Sequence, residues 1–257
     1  MKIKNDKYYT SPELVDYVIS KTYEIISKSN ITEIIEPSAG NGAFSSKLDC
    51  IAYDLHPESN NIIKQDFLEL KIDYKKGRLV IGNPPFGNRG HLMQRFCDKS
   101  FEIADYVSFI LPANQHNNIS TINKFGLLYS EHLGIHSFSG YSVNCCLNIY
   151  SRYCEVSSSV ISSIITIKEI RKTRKYSDFT CDFTIRAWGK IGELCEPYEY
   201  AKVFCITIND LDNYDYYKNL ILNADWCNLY HMTGTPNLLQ WQVMKYIEDN
   251  KIETKRT

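Results

Sequence analysis

Gly82-Asn83-Pro84-Pro85-Phe86-Gly87 follows the apolar run at 79–81 and combines residue types that a simple turn does not require. Two consecutive prolines remove two backbone donors and stiffen the chain, leaving the Pro84 carbonyl free to face a ligand rather than a ladder partner. The amide oxygen of Asn83 is a second acceptor beside it. An exocyclic amine on a heterocycle offers two N–H donors, but its lone pair is delocalised into the ring. Two acceptors drawing on both hydrogens pull the nitrogen toward tetrahedral geometry and free that lone pair, so no strong base is needed. Phe86 adds a flat apolar face on which the heterocycle can stack, a contact worth roughly 1–3 kcal/mol per base. Asn83, Pro84, Pro85 and Phe86 are therefore the expected catalytic group, with Phe86 also touching the target ring.

A second segment, Glu36-Pro37-Ser38-Ala39-Gly40-Asn41-Gly42, follows the apolar run at 31–35. Its glycines let the backbone pass close to a ligand, and an acidic residue at the end of a strand can take the ammonium of an amino-acid moiety. The lysine of a phosphate-cradling loop and the GxGxxG spacing are both missing, which disfavours a nucleoside-phosphate loop. Asp54 closes a third apolar run, 51–53, where a carboxylate hydrogen-bonds ribose hydroxyls in nucleoside-binding α/β folds. His56, His91 and the tyrosine-rich stretch Tyr214-Asp215-Tyr216-Tyr217 read as structural.

Positioning these groups requires strands that end in functional loops. Apolar runs at 31–35, 51–53, 79–81 and 107–111 each precede a chemically special segment, and helical stretches separate them: one opening at Pro12 with Ser11 as its cap and closing near Ser29-Asn30, one over 43–48, one over 92–103. That alternation predicts an α/β protein with a mainly parallel sheet and ligands at the carboxyl ends of its strands. A further strand over 143–153 pairs as an antiparallel hairpin with residues around 135–138. Beyond the junction SSSVISS the pattern changes, with strands near 179–188 and 202–208 and helices near 214–222 and 237–247. Two domains are expected, residues 1–156 and a small α+β region over 157–257.

The 257 residues, 44% apolar and 13% aromatic, suffice for one sizeable core and a smaller module. A net charge of -1 excludes a uniformly basic nucleic-acid binder but not a local basic patch. Nine cysteines show neither CxxC pairs nor zinc spacing, so no metal is expected and all are read as reduced thiols. With no apolar leader and no run near the roughly 20 residues that span a bilayer, a soluble, cytoplasmic protein is expected.

The ordered set YYTSP (8–12), EPSAGNGAF (36–44), YDLHP (53–57), QDFL (65–68) and IGNPPFG (81–87) resembles the gamma-class amino methyltransferases that modify adenine N6. The resemblance covers roughly residues 8–155. It implies a seven-stranded, Rossmann-like class I methyltransferase sheet whose last strand is antiparallel, and S-adenosylmethionine as cofactor. It also implies roles: Tyr9 and Thr10 near the methionine carboxylate, Glu36 with Pro37, Ser38, Ala39 and Gly40 near the methionine amino group, Asp54 with Leu55 on the ribose, and Asp66 with Phe67 on the cofactor's adenine. Asn83 and Pro84 would hold the target amine and Phe86 would stack on the target base, with Phe138 and Tyr141 as candidates for a second aromatic wall. The expected partner is nucleic acid, foremost double-stranded DNA with the adenine flipped out, gripped in part by the C-terminal cluster Lys168, Arg171, Lys172, Arg174 and Lys175 or with a second subunit. RNA adenine and protein glutamine are the alternative substrates. Glutamine enzymes carry tyrosine at the aromatic position and lack the YYTSP lead-in, and their accessory domain precedes the catalytic one.

Overall fold

Alternate residues along the central strands face opposite ways, and two helices of complementary pattern cover the two faces. A computed structural model describes residues 9–119, 122, 124–155, 162–174, 180–232 and 235–252. The chain divides into two compact units, Met1–Ser157 and Ser158–Thr257. In the first, strands β1 (Glu33–Glu36), β2 (Ile51–Asp54), β3 (Ile63–Lys64), β4 (Arg78–Gly82), β5 (Tyr106–Pro112), β6 (Gly126–Phe138) and β7 (Tyr141–Ser151) form one sheet in the order β3-β2-β1-β4-β5-β7-β6. The pairs from β3 through β5 are parallel, and β7 runs antiparallel to both β5 and β6. This is the Rossmann-like, seven-stranded sheet with an antiparallel last strand that the resemblance implies. Chain order reverses at β1 and β4, the switch point beside which such sheets bind ligands.

Strand β4 is buried along its whole length, as a central parallel strand must be. Leu79 and Ile81, with Tyr106 and Ile110 of β5, pack with Leu14, Val15 and Val18 of helix α1 (Pro12–Ile25). Val80, with Val107, Phe109 and Leu111, packs instead with Met93, Phe96, Cys97 and Phe101 of helix α2 (His91–Ile103). Each such side chain contributes about 1.5–3 kcal/mol when fully buried. Ser108 would be an unsatisfied polar group on the α1 face, but its hydroxyl lies 2.7 Å from that of Thr22.

Helix α1 begins where expected, with Pro12 in its first turn and the Ser11 hydroxyl accepting from the Leu14 N–H. It stops at Ile25, earlier than expected, because Ile26 turns extended and is buried in the α1-side core; a separate 3-10 turn, Lys28–Asn30, carries the chain on. Residues 43–48 are turns rather than the expected helix. The Ser45 N–H is drawn to the Glu36 carboxylate at 2.8 Å, and Gly42 adopts φ +88.

In the second unit, β8 (Ile165–Arg171), β9 (Phe183–Arg186) and β10 (Lys202–Ile208) form an antiparallel sheet in the order β8-β10-β9. Helices α3 (Tyr214–Leu222), α4 (Trp226–Leu229) and α5 (Gln240–Asp249) pack on the face bearing Phe204, Ile206 and Ile208. The expected reduced state fails at one pair: Cys181 and Cys205 form a disulfide. Cys181 lies just before β9 and Cys205 within β10, opposite Thr184, so the disulfide joins residues 24 apart in a proximity that local spacing does not display. The other seven cysteines are free.

Candidate active site

A cavity of about 420 Å³ opens at the carboxyl edge of the first unit's sheet, where β1, β2, β3 and β4 end. Glu36 is the last residue of β1 and only 2% exposed. Burial pushes its carboxyl up to about 7, with a smaller rise from the Asp54 charge, against the hydrogen bonds of Ser45 and Phe44 that favour the anion. A buried carboxylate in that condition favours a cationic ligand group.

Asp54, the last residue of β2, is oriented from both sides: Oδ2 accepts from the Gly40 N–H and Oδ1 from the His56 N–H, each at 2.7 Å. Gly40 reaches this bond at φ +55, a conformation that disfavours a side chain. Asp66 follows β3 and accepts from the Leu68 N–H at 2.9 Å, capping a 3-10 turn, Phe67–Glu69, that buries Phe67 against Phe96 with ring centroids 5.6 Å apart.

Asn83 continues β4. Its backbone carbonyl accepts from the Ser38 hydroxyl at 3.2 Å, and its side-chain Nδ2 donates to Thr10 Oγ1 at 3.3 Å. With the amide nitrogen so directed, Oδ1 is left as an acceptor. Tyr9 spans the rim: its hydroxyl donates to Glu58 at 2.6 Å and its backbone N–H to the Ser139 hydroxyl at 3.1 Å.

Every residue expected from the sequence to contact cofactor, from Tyr9 and Thr10 through Glu36–Gly40, Asp54, Leu55, Asp66 and Phe67 to Asn83, walls this one cavity, as do Pro84 and Pro85. Phe86 is half-buried and does not wall it; its carbonyl accepts from the Met93 N–H at 3.3 Å. The expected second aromatic wall is not formed by Phe138, whose ring is 1% exposed within the α1-side core. Tyr141, 52% exposed across the hairpin from it, does not wall the cavity either. Strand alternation turned Phe138 inward, and the short run of sequence around it could not reveal which face would be covered. Leu92, Arg95 and Phe96 of α2 do wall the cavity and were not foreseen; their i, i+3, i+4 spacing just after the proline turn was the available signal.

In the second unit Arg171 pairs with Glu169 at 2.6 Å, and the Lys172 ammonium donates to the Glu199 carbonyl at 3.3 Å. Lys168 and Arg174 are exposed, and Lys175 lies outside the described residues. Among the described residues there is no cluster of three or more metal-ligating side chains, and no helix is long and apolar enough to cross a membrane.

No family model and no curated protein matches the chain. Solved structures resemble it over part of its length. A proposed RNA methyltransferase from Pyrococcus horikoshii is 16% identical, covering 58% of this chain and 91% of that one, with a TM-score of 0.44. A Thermoplasma acidophilum protein is 18% identical with the same coverage and TM-score. Magnesium protoporphyrin IX methyltransferase from Synechocystis PCC 6803 is 11% identical over 59% of this chain and 88% of that one, with a TM-score of 0.38. At such identities and TM-scores the likeness adds nothing to the strand order, which stands on the chain's own pairing.

Proposed function

We propose that the protein is an S-adenosylmethionine-dependent methyltransferase that acts on the exocyclic N6 amine of adenine in double-stranded DNA. The observation that carries this reading is Asn83: its amide is turned by Thr10 so that Oδ1 is available as an acceptor, and the adjacent Pro84 carbonyl accepts no hydrogen bond from the described residues. These two acceptors match the two N–H donors of an aromatic amine. The lining fits the proposed cofactor as well. Glu36 suits an ammonium, Asp54 is oriented for ribose hydroxyls, and Phe67 and Phe96, stacked on each other, give the cavity an apolar wall against which a nucleobase can lie.

S-adenosylmethionine, when bound, supplies an electrophilic methyl group. The chain's own contribution is to hold the amine by Asn83 and Pro84, localise its lone pair and exclude water around it, so that rate is gained mainly by orientation. An adenine inside a duplex cannot reach such a cavity, so the target base is extruded from the stack. DNA as the polymer rests on the ordered motifs shared with the gamma class.

Asn83→Ala is expected to lower the rate of methyl transfer about 10²–10³-fold, the scale for loss of one oriented polar group at a reacting centre. Affinity for the methyl donor, measured by calorimetry, should remain. Full activity in that variant would remove the mechanism.

A further inference from the structure

Helix α2 begins just after the proline turn, and Leu92, Arg95 and Phe96 share the face that walls the cavity. Phe96 is 7% exposed and Leu92 half-buried, so two of the three are apolar contacts, while Arg95 is exposed. No carboxylate among the described residues pairs with Arg95. Its neighbours on the helix are matched: Lys99 with Glu102 at 3.4 Å, and Asp98 with Lys124 at 3.0 Å. Helical side chains lean toward the helix N-terminus, which carries Arg95 back toward the turn that holds Pro84 and Pro85. His91, also exposed, lies one turn earlier on the same side.

The anion that Arg95 awaits is not supplied by the cavity's own chemistry. Inside stand the carboxylates of Glu36, Asp54 and Asp66, which repel a second anion. On the reading of the preceding section, the methyl donor's one carboxylate travels with the ammonium beside Glu36, and its other end is an uncharged nucleoside. The second reactant differs: an extruded nucleotide carries a phosphodiester on each side. We infer that Arg95 is a phosphate-binding subsite at the cavity mouth, a positioning residue whose guanidinium holds a backbone phosphate flanking the target nucleotide. Arginine suits this role because its planar fork meets two phosphate oxygens at once.

The test uses the whole protein and a short fluorescein-labelled duplex, with binding followed by anisotropy across a salt series and methyl-donor affinity measured separately by calorimetry. Arg95→Gln keeps most of the stem that covers Leu92 and Phe96 but removes the charge. It is expected to bind the duplex roughly eightfold more weakly at about 0.1 M salt, with the log–log salt slope reduced by about 0.9. The KM for DNA should rise more than kcat falls, and methyl-donor affinity should hold. Arg95→Lys should keep the wild-type salt slope while losing part of the affinity. An Arg95→Gln variant with the wild-type slope, or one that loses methyl donor rather than duplex, would overturn the subsite and leave Arg95 as a cover for the apolar wall. If the wild type binds and methylates DNA while Arg95→Gln leaves the slope unchanged, only this inference fails. If the wild type binds no nucleic acid, the functional reading fails with it.

Discussion

Glu36 joins the fold's energetics to its proposed chemistry. Its folded-state carboxyl titrates near 7, against an ordinary value of 4.5, because burial penalises the charge. Between those two values the folded protein holds a proton that the unfolded chain has released. The associated stability is therefore complete below pH 4.5 and is lost as pH rises through 7, a change on the order of 3 kcal/mol. Thermal unfolding of the ligand-free protein should show that decline, and Glu36→Gln should flatten it. A Glu36→Gln variant with an undiminished decline across this window would mean that the carboxyl is not the buried group described above. An ammonium bound at Glu36 reverses the logic by favouring the anion, so methyl-donor affinity should rise with pH toward neutrality.

The residues legible in the sequence were those whose chemistry is tied to the end of a strand. Glu36, Asp54 and Asn83 each close or follow an apolar run, so strand prediction alone brings them to one edge. Phe138 and Cys181 were not legible, because the burial of one and the pairing of the other are set by neighbours across a sheet. The spacing of Leu92, Arg95 and Phe96 marks one helix face but does not show what that face meets. Arg95 stands out only once the cavity lies beside it and its neighbours are seen to be paired.

At the scale of elements, the connection from β4 to α2 governs the site. Gly87 turns the chain at φ +67, and a Cβ there would stand 2.6 Å from that of Leu92. Gly87→Ala is therefore expected to cost about 1–3 kcal/mol and to displace the start of α2, with Leu92, Arg95 and Phe96 moving away from the proline turn. Denaturant unfolding measures the cost, and weakened methyl-donor binding would report the displaced wall. A variant with unchanged stability and binding would show that the turn tolerates a side chain.

Long apolar runs were readable as strands, and the 13-residue α2 emerged within one residue of its expected start. The departures include two strands that were not foreseen and one expected helix that does not form, each for its own reason. Strand β3 has only two residues, too few for a period. Strand β8 was hidden because its second half, Lys168-Glu169-Ile170-Arg171, reads as part of a basic cluster and its apolar residues Ile165, Ile167 and Ile170 do not keep one alternation. The helix expected over 43–48 does not form: Ser46 and Leu48 make i→i−4 bonds at 2.9 and 3.0 Å, but the Lys47 N–H turns to the Phe44 carbonyl at i−3 and the segment stays a run of turns.

Over the whole molecule, all residues that wall the cavity belong to Met1–Ser157, whereas Ser158–Thr257 is a separate α+β unit with its own core. On the proposed reading the chemistry belongs to the first unit, and substrate grip is the role proposed for the second. Its basic residues contribute less free charge than composition suggests, since Arg171 is paired with Glu169. Methyl transfer is measured directly by supplying the purified protein with radiolabelled S-adenosylmethionine and, separately, unmethylated duplex DNA, single-stranded DNA, total RNA and a protein extract, then digesting each polymer. Label in N6-methyldeoxyadenosine from duplex DNA is the expected result. Label in N6-methyladenosine from RNA alone would contradict the choice of polymer while keeping the amine chemistry, and label in methylglutamine, or in none of the four, would contradict adenine methylation by this protein.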